Sequence, residues 1–190
     1  MQEHNRRFLG AFLSQGDMDI FGSGYDAVGD TMNGGRIFLH ADAGEAAGYA
    51  MWGGALYIRG NAGHRAGIHI KANATLVIGG SAGDFLGEYQ AGGTIILLGL
   101  HKEEPLLGSS PCAGMHGGRI YLRGNAEGLI FPEHIIAEEA TPDEVSAILP
   151  HLEICAARFD WSMEQILAQP FTLLKPLTHR PYRSVYTPVM

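Results

Sequence analysis

Two glycine clusters with the spacing GxxGxxxG suggest chemistry most directly, because glycine-rich loops cradle phosphate groups in nucleotide-binding proteins. They begin at Gly60 and Gly80. A dinucleotide-binding loop needs a helix after its glycines, whose N-terminus holds the pyrophosphate. Here each cluster leads instead into another short apolar run. We therefore predict that these glycines form corners between strands and bind no cofactor.

Nine histidines raise the question of a metal site. The nearest pairs are His64 with His69 and His101 with His116. Five residues along an alternating strand place two side chains on opposite faces, and no carboxylate or cysteine stands beside them at ligand spacing. We predict no metal ligands. His40 ends its run at an outward position equivalent to Arg59 and Arg123, which favours a polar ladder over a catalytic base.

Other reactive groups lack a partner in the sequence. Cys112 lies in an insertion, where an exposed loop thiol would be a candidate nucleophile, but no base accompanies it, and a plain thiol is the simpler interpretation. The adjacent Glu103 and Glu104 diverge in a loop and do not form a catalytic pair. We predict no catalytic residue. Arginines at two strand ends and in the tail are candidates for contacts with carboxylates of a partner, or for local ion pairs: Arg59, Arg123, Arg180 and Arg183.

Charge and cysteine content exclude several classes of protein. Thirteen Lys and Arg against twenty Asp and Glu give a net charge of −7, and an acidic chain without a basic run is a poor match for nucleic acid. Two cysteines, Cys112 and Cys155, cannot supply four ligands to an iron–sulfur cluster. The apolar run near residue 8 is too short for a signal peptide, and no stretch approaches a membrane span. We expect a cytoplasmic protein.

Six apolar runs recur along the chain with a nearly constant period. Their first residues lie 19, 19, 20, 19 and 25 positions apart, and the last gap contains an insertion at 101–113. A unit of about 19 residues is too short for a strand, a helix and a second strand. The runs begin at Met18, Ile37, Leu56, Leu76, Ile95 and Ile120.

This period is typical of one coil of a parallel β-helix, in which each strand pairs with its equivalent one coil later. The predicted fold is an all-β solenoid of about six turns over 17–132. Asp, Asn and Ser after the corner glycines would hydrogen-bond within their own turns and stack on their equivalents in neighbouring coils. The predicted corner glycines are Gly44, Gly48, Gly60, Gly63, Gly67, Gly80, Gly83, Gly87 and Gly124.

Alternation within the runs separates a core from an outer stripe. First and third positions, such as Leu56 and Ile58, would fill the bore, while second positions point outward. An apolar stripe of this length needs a cover, either from the same chain or from a partner. The predicted stripe consists of Phe38, Tyr57, Val77, Ile96 and Tyr121.

The segments outside the repeats offer a cover in the same chain. Thr141 and the following Pro-Asp-Glu predict a capped helix, which Pro150 would kink or split. We assign 133–190 to a short helical and extended C-terminal extension whose tail docks on this chain or on a partner. Residues 1–16 form a predicted N-terminal cap, whose apolar side chains would plug the first coil: Phe8, Leu9, Phe12 and Leu13.

The repeats resemble a known family. The segments 51–63 (MWGGALYIRGNAG) and 115–124 (MHGGRIYLRG), with the GxxGxxxG coils, are similar to the GXGXG domain, the C-terminal β-helix of the glutamate synthase large subunit. The domain also occurs as a free-standing chain in archaeal-type glutamate synthases and N-methylglutamate synthase, and it resembles one of the subunits of formylmethanofuran dehydrogenase. The resemblance implies a right-handed β-helix without catalytic residues of its own.

That resemblance implies a structural role in an oxidoreductase complex of nitrogen metabolism. In glutamate synthase the domain braces the glutaminase domain against the flavin-binding barrel, near the route of ammonia. This chain has neither an N-terminal nucleophilic cysteine nor a flavin barrel, so glutaminase-type and FMN-binding chains are the implied partners. FMN and an iron–sulfur cluster would belong to those partners. A homo-oligomer is an open alternative.

Two other classes stay open at this point. Left-handed β-helices of acyltransferases repeat every six residues and often use a histidine as base. The apolar residues Ile37, Ala43 and Tyr49 follow that period, but it breaks at Glu88, and a coil of 19 to 20 residues departs from a strict eighteen. The third class is a pure binding module, whose outer stripe recognises one protein.

Overall fold

The computed structural model describes residues 7–23, 25–71, 73–100 and 106–177. Within these ranges eight strands form one sheet in the order β1-β2-β3-β4-β5-β6-β8-β7, and two helices accompany them. The strands are β1 Asp17–Ile20, β2 Asn33–Leu39, β3 Gly53–Ile58, β4 Thr75–Ile78, β5 Ala91–Leu97, β6 Gly117–Arg123, β7 Ile135–Glu139 and β8 Phe171–Pro176, and the helices are α1 Pro142–Phe159 and α2 Met163–Leu167.

The six apolar runs form the parallel strands β1 to β6, which confirms the predicted β-solenoid. Equivalent positions pair from coil to coil, as Ile37 with Leu56 and Leu56 with Leu76. Alternate side chains fill the bore, where leucines and isoleucines of successive coils are fully buried in one cluster. At about 25 cal/mol per Å² of apolar surface, this continuous core is the main favourable contribution to folding.

Corner glycines serve two different purposes. Gly48 and Gly67 have φ of +70°, a left-handed conformation that glycine adopts at the lowest cost. Gly63 has ordinary dihedral angles, but a Cβ built there would lie 2.7 Å from the carbonyl oxygen of Gly44 on the preceding coil. A Cβ at Gly60 or Gly80 would collide with a side-chain oxygen of the preceding coil. Close stacking of coils therefore requires glycine even where φ does not.

Polar residues at the corners connect successive coils. The Asp42 Oδ1 accepts a hydrogen bond from Asn61 N at 2.7 Å, and the Asn61 Oδ1 accepts one from Ser81 N at 2.8 Å. In a second column, the Asp84 Oδ1 accepts from Ser109 N at 2.6 Å, which lowers the pKa of that carboxyl. Asp42, Asn61 and Ser81 thus stack on their equivalents as predicted, but the hydrogen bonds of Asp42 and Asn61 reach the backbone N–H of the next coil and not of their own turn.

Helix α1 covers the outer stripe. The five stripe residues are buried against the apolar face of α1, and the two groups share one cluster that includes Ile148, Leu152, Cys155 and Phe159. A helix of 18 residues is about 27 Å long, which matches the roughly 24 Å across six parallel strands. Of the two covers that the sequence left open for the stripe, this chain's own extension and a partner, the structure shows the first.

The ends of α1 are well defined. Thr141 and Glu144 form a capping box in which Thr141 Oγ1 accepts a hydrogen bond from Glu144 N, while Glu144 Oε2 accepts one from Thr141 N. Asp160 ends the helix in a left-handed conformation. The helix continues through Pro150, so the predicted split does not occur. At this end, Arg158 donates hydrogen bonds to Asp19 of the first strand.

The two ends of the solenoid differ. After β6 the chain turns into the antiparallel pairs β6 with β8 and β8 with β7, so fewer than six complete turns form. The predicted extended tail is confirmed for β8, and 178–190 lie outside the described residues. At the first coil, Leu9 and Leu13 pack against the core as predicted for a plug, whereas Phe8 and Phe12 stay exposed. The domain boundaries at 16 and 132 stay predictions.

The two purposes of the glycines predict different costs of substitution. Gly63→Ala places a methyl group against the backbone of the preceding coil, and we expect it to lower the free energy of unfolding by about 2–3 kcal/mol. Gly124→Ala meets no atom within 4 Å and adds only the strain of φ +97°, a cost of roughly 1 kcal/mol. Urea denaturation of both variants measures the difference. Equal losses would contradict the stacking argument.

The covered stripe makes a second prediction. Ile96 is fully buried beneath α1, so Ile96→Lys leaves an unpaired charge in the core and should cost about 3–5 kcal/mol. Asn73 is exposed, and Asn73→Lys should change stability by less than about 0.5 kcal/mol. Thermal and urea denaturation compare the two variants. Similar stabilities would show that α1 does not seal the stripe.

Candidate functional site

The two cysteines are buried and unreactive. Cys112 fills the bore beside the other core residues, and its burial raises the pKa of the thiol to about 12. Its predicted position in an exposed loop is wrong, because the chain rejoins the coil at Leu107 and its side chains return to the core. Cys155 lies on the buried face of α1, where burial also raises the pKa of its thiol. Both side chains act as small apolar groups.

The histidines serve separate structural roles. The His64 Nδ1 accepts a hydrogen bond from Asp84 N at 2.9 Å, in line with the cross-coil bonds of the corners. His40 Nε2 lies 2.7 Å from Asp19 Oδ1, and the imidazole ring stacks on Phe21. Asp19 also accepts hydrogen bonds from Arg158, so His40 belongs to a contact at the end of α1, where the sequence predicted a ladder of polar side chains. Within the described ranges, no three His, Cys, Asp or Glu side chains gather as a metal site would require. His101, Glu103 and Glu104 lie outside those ranges.

The predicted surface arginines differ in their contacts. The Arg123 guanidinium donates hydrogen bonds to the carbonyl oxygens of Ile166 and Gln165 at 2.8 and 2.7 Å. It therefore holds the last turn of α2 on the sheet. Partial burial lowers the pKa of this arginine. Arg59 is exposed, and Arg180 and Arg183 follow residue 177, outside the described part of the chain.

An exposed aromatic face runs along one corner of the solenoid. We define it by Tyr49, His69 and Tyr89, together with Trp52 and Lys71 on the same coils. The His69 and Tyr89 rings stack with centroids 5.3 Å apart, and Tyr49 meets His69 edge to face. The Lys71 ammonium lies 4.3 Å from the Trp52 ring centroid. Trp52 is 51% exposed and Tyr89 is 46% exposed.

The backbone at this face has the left-handed conformation that recurs at the same corner of other coils, as at Thr31 and Ala50. His69 and Tyr89 have φ of +58° and +52°, which cost a non-glycine residue about 1–2 kcal/mol each. Large aromatic side chains therefore occupy corner positions where glycine would fold at lower cost. Exposed aromatic residues are enriched at protein–protein interfaces. We identify the aromatic face as the candidate functional site, and repetition at 49, 69 and 89 is the sequence pattern that would have found it.

A polar contact joins α1 to the sheet within the covered stripe. His151 Nδ1 lies 3.0 Å from the Tyr57 hydroxyl, and His151 Nε2 lies 3.3 Å from the Thr75 hydroxyl. Both hydroxyls are largely buried, so the imidazole satisfies groups that would otherwise lack a partner. Burial lowers the pKa of His151 and raises that of Tyr57. The contact was not predicted, because residues 57 and 151 are 94 positions apart.

Together the fold and these residues define a glycine-cornered parallel β-solenoid whose outer stripe is closed by its own helix and whose aromatic corner stays exposed. The family model described as the GXGXG motif matches residues 6–148, and the chain belongs to this family. No helix in the described ranges has the length and apolar character to cross a membrane.

A relative from an archaeon shares part of this sequence. An uncharacterized protein of Methanocaldococcus jannaschii is 35% identical over 120 residues, which are 60% of this chain and 46% of the relative. The chain therefore spans about half the length of the curated relative it matches. The similarity extends the family relationship to that protein and assigns no activity.

The position of His151 predicts a dependence of stability on pH. Its pKa is lower in the folded state than the ordinary 6.5, so below that value the unfolded chain binds more protons. Stability should therefore fall as the pH drops from 6.5 through the folded pKa. His151→Gln removes this titration, and urea midpoints between pH 8 and pH 5 should decline less than those of the unchanged protein. Parallel pH curves would contradict the assignment.

Proposed function

We propose that this chain is a non-catalytic structural component of a glutamate synthase-type oxidoreductase complex. Membership of the GXGXG motif family and the resemblance of its coils to the glutamate synthase domain support this role. In the proposed complex the chain braces a glutaminase-type chain against an FMN-binding synthase chain. Ammonia would pass between those chains, and FMN and an iron–sulfur cluster would reside on the partners. The expected compartment is the cytoplasm.

The internal packing suits a spacer. The bore contains one continuous apolar core, and α1 closes the outer stripe along the length of the parallel sheet. Successive coils are also connected by side-chain hydrogen bonds at the corners, such as Asp42 to Asn61. A body of this kind holds two partners at a set distance of about five strand spacings, or roughly 24 Å. A rigid brace binds its partners more tightly, because its side chains and loops lose little conformational entropy when a partner binds.

The observation that carries the proposal is the exposed aromatic face. Since α1 hides the stripe, the stripe cannot recognise another protein, and recognition must use surfaces that stay open. Trp52, Tyr89 and the Lys71 cation on Trp52 combine a large apolar area with a positive charge. Tyrosine and tryptophan supply much of the binding energy at the centre of interfaces. We assign the aromatic face to the contact with the FMN-binding chain.

Affinity purification of the full-length chain from its native host tests the role. We expect a flavoprotein and a glutaminase-type chain to co-purify, while the chain isolated alone shows no flavin absorbance and hydrolyses no glutamine. Stoichiometric flavin or glutaminase activity in the isolated chain would overturn the proposal. Recovery of a homo-oligomer without other chains would also overturn it.

A double variant tests the aromatic face. Trp52→Ala with Tyr89→Ala should weaken binding to the FMN-binding chain by about 2 kcal/mol or more, because hot-spot aromatic residues are removed. The matched control is Glu153→Ala, which is exposed on α1 away from its apolar face. Co-purification yields and thermal denaturation separate lost binding from lost folding. Unchanged binding in a folded double variant would exclude this face as the interface.

A further inference from the structure

A row of outward side chains runs beside the covered stripe, at the strand position two residues before it. The register of the parallel sheet aligns one residue of each coil in this row. Neighbours in the row lie on adjacent strands, about 4.8 Å apart. We call it the arginine row, and its members from β1 to β6 are Asp17, Arg36, Ala55, Thr75, Thr94 and Arg119.

The two arginines of the row have different neighbours. Arg36 forms two hydrogen bonds with its neighbour Asp17, at 2.7 and 2.6 Å, the bidentate geometry that guanidinium and carboxylate groups favour. The neighbour of Arg119 is Thr94, which brings no charge. Among the described residues, no carboxylate is hydrogen-bonded to Arg119. The same row therefore contains one arginine with its carboxylate and one without.

Acidic residues of the C-terminal extension do not pair with Arg119 as Asp17 pairs with Arg36. Glu144 interacts electrostatically with Arg119, but its carboxylate accepts hydrogen bonds from Thr141 N and Oγ1 in the capping box. Glu138 is paired with Lys175 on the neighbouring strand. Both carboxylates are thus engaged by groups of the C-terminal extension, and the Arg119 guanidinium remains exposed.

Beside Arg119 the surface opens into a groove with a volume of about 440 Å³. Volumes of this order accommodate small-molecule ligands. Glycine pairs leave the groove open, because Gly93 and Gly118 contribute no side chains there. Thr75, Thr94 and Asn73 line the same groove as Arg119. Its lining thus combines one cation with an amide and two threonines, and more of its surface is polar than apolar.

From this arrangement we infer that the groove binds the carboxylate of a small organic acid, which takes beside Arg119 the place that Asp17 takes beside Arg36. The guanidinium donates two hydrogen bonds to the carboxylate, and Thr94 donates a third from its hydroxyl. Thr75 already contacts His151 and borders the remainder of the ligand. This site is independent of the proposed role in assembly, since it needs no partner chain.

Titration with small anions tests the inference. Acetate, glutarate and inorganic phosphate are added to the ¹⁵N-labelled full-length chain at low ionic strength, where charge interactions are least screened. We expect the carboxylates to shift the amide resonances of Gly92, Gly93 and Gly118. Arg119→Gln should weaken binding at least about tenfold, since a charge-assisted bidentate contact is lost. Arg59→Gln, an exposed arginine outside the groove, should bind as the unchanged protein does.

A second variant keeps the test valid if Arg119→Gln fails to fold. Thr94→Asp places a carboxylate on the strand next to Arg119, as Asp17 stands next to Arg36. We expect this variant to remain folded and to lose carboxylate binding, because the introduced carboxylate accepts the hydrogen bonds that the Arg119 guanidinium would otherwise donate to the ligand.

Four results would overturn the inference. The first is no shift with either carboxylate at millimolar concentration. The second is equal weakening by Arg119→Gln and Arg59→Gln, which indicates unspecific attraction of anions. The third is full binding by Thr94→Asp. Preference for phosphate over both carboxylates would likewise reject a carboxylate site.

Discussion

Close stacking of one coil on the next is the constraint on which the other features of this molecule depend. Strands paired at about 4.8 Å bring each corner against the backbone of the preceding corner, and a Cβ at Gly63 or Gly54 would lie within 3 Å of that backbone. The same proximity lets Asn61 accept a hydrogen bond from the backbone of the next coil. Glycine content and corner polarity are therefore two consequences of a single packing distance.

Stacking also creates the need for helix α1. Because equivalent residues face the same way in every coil, one apolar outward position becomes an apolar stripe along the sheet. The helix closes this stripe, and at its C-terminal end Arg158 donates hydrogen bonds to Asp19 of β1. With the stripe closed, the large aromatic side chains that stay exposed include those of the aromatic face and, at the first coil, Phe21. The helix therefore decides which apolar surface of the solenoid is hidden from solvent.

Much of the fold followed from periodicity, whereas most of the site did not. Repetition at 19 to 20 residues identified the strands, the bore and the stripe, and the capping residues located α1. Periodicity failed at Cys112, where an insertion suggested an exposed loop but the chain returns to the bore. It also failed at Arg123, whose hydrogen-bond acceptors lie on α2, more than 40 positions away. Such contacts depend on how separate elements dock, and no local pattern encodes that geometry.

By itself the sequence determined a stacked solenoid, because a repeat shorter than a strand–helix–strand unit with glycine at each corner can satisfy its backbone only by pairing coil on coil. It also determined that the stripe needed a cover. Tertiary structure decided which element provides it, and so which surface is hidden and which remains open. It also decided that Arg36 has a carboxylate neighbour and Arg119 has a groove, since each contact depends on what an adjacent coil places within a few ångströms.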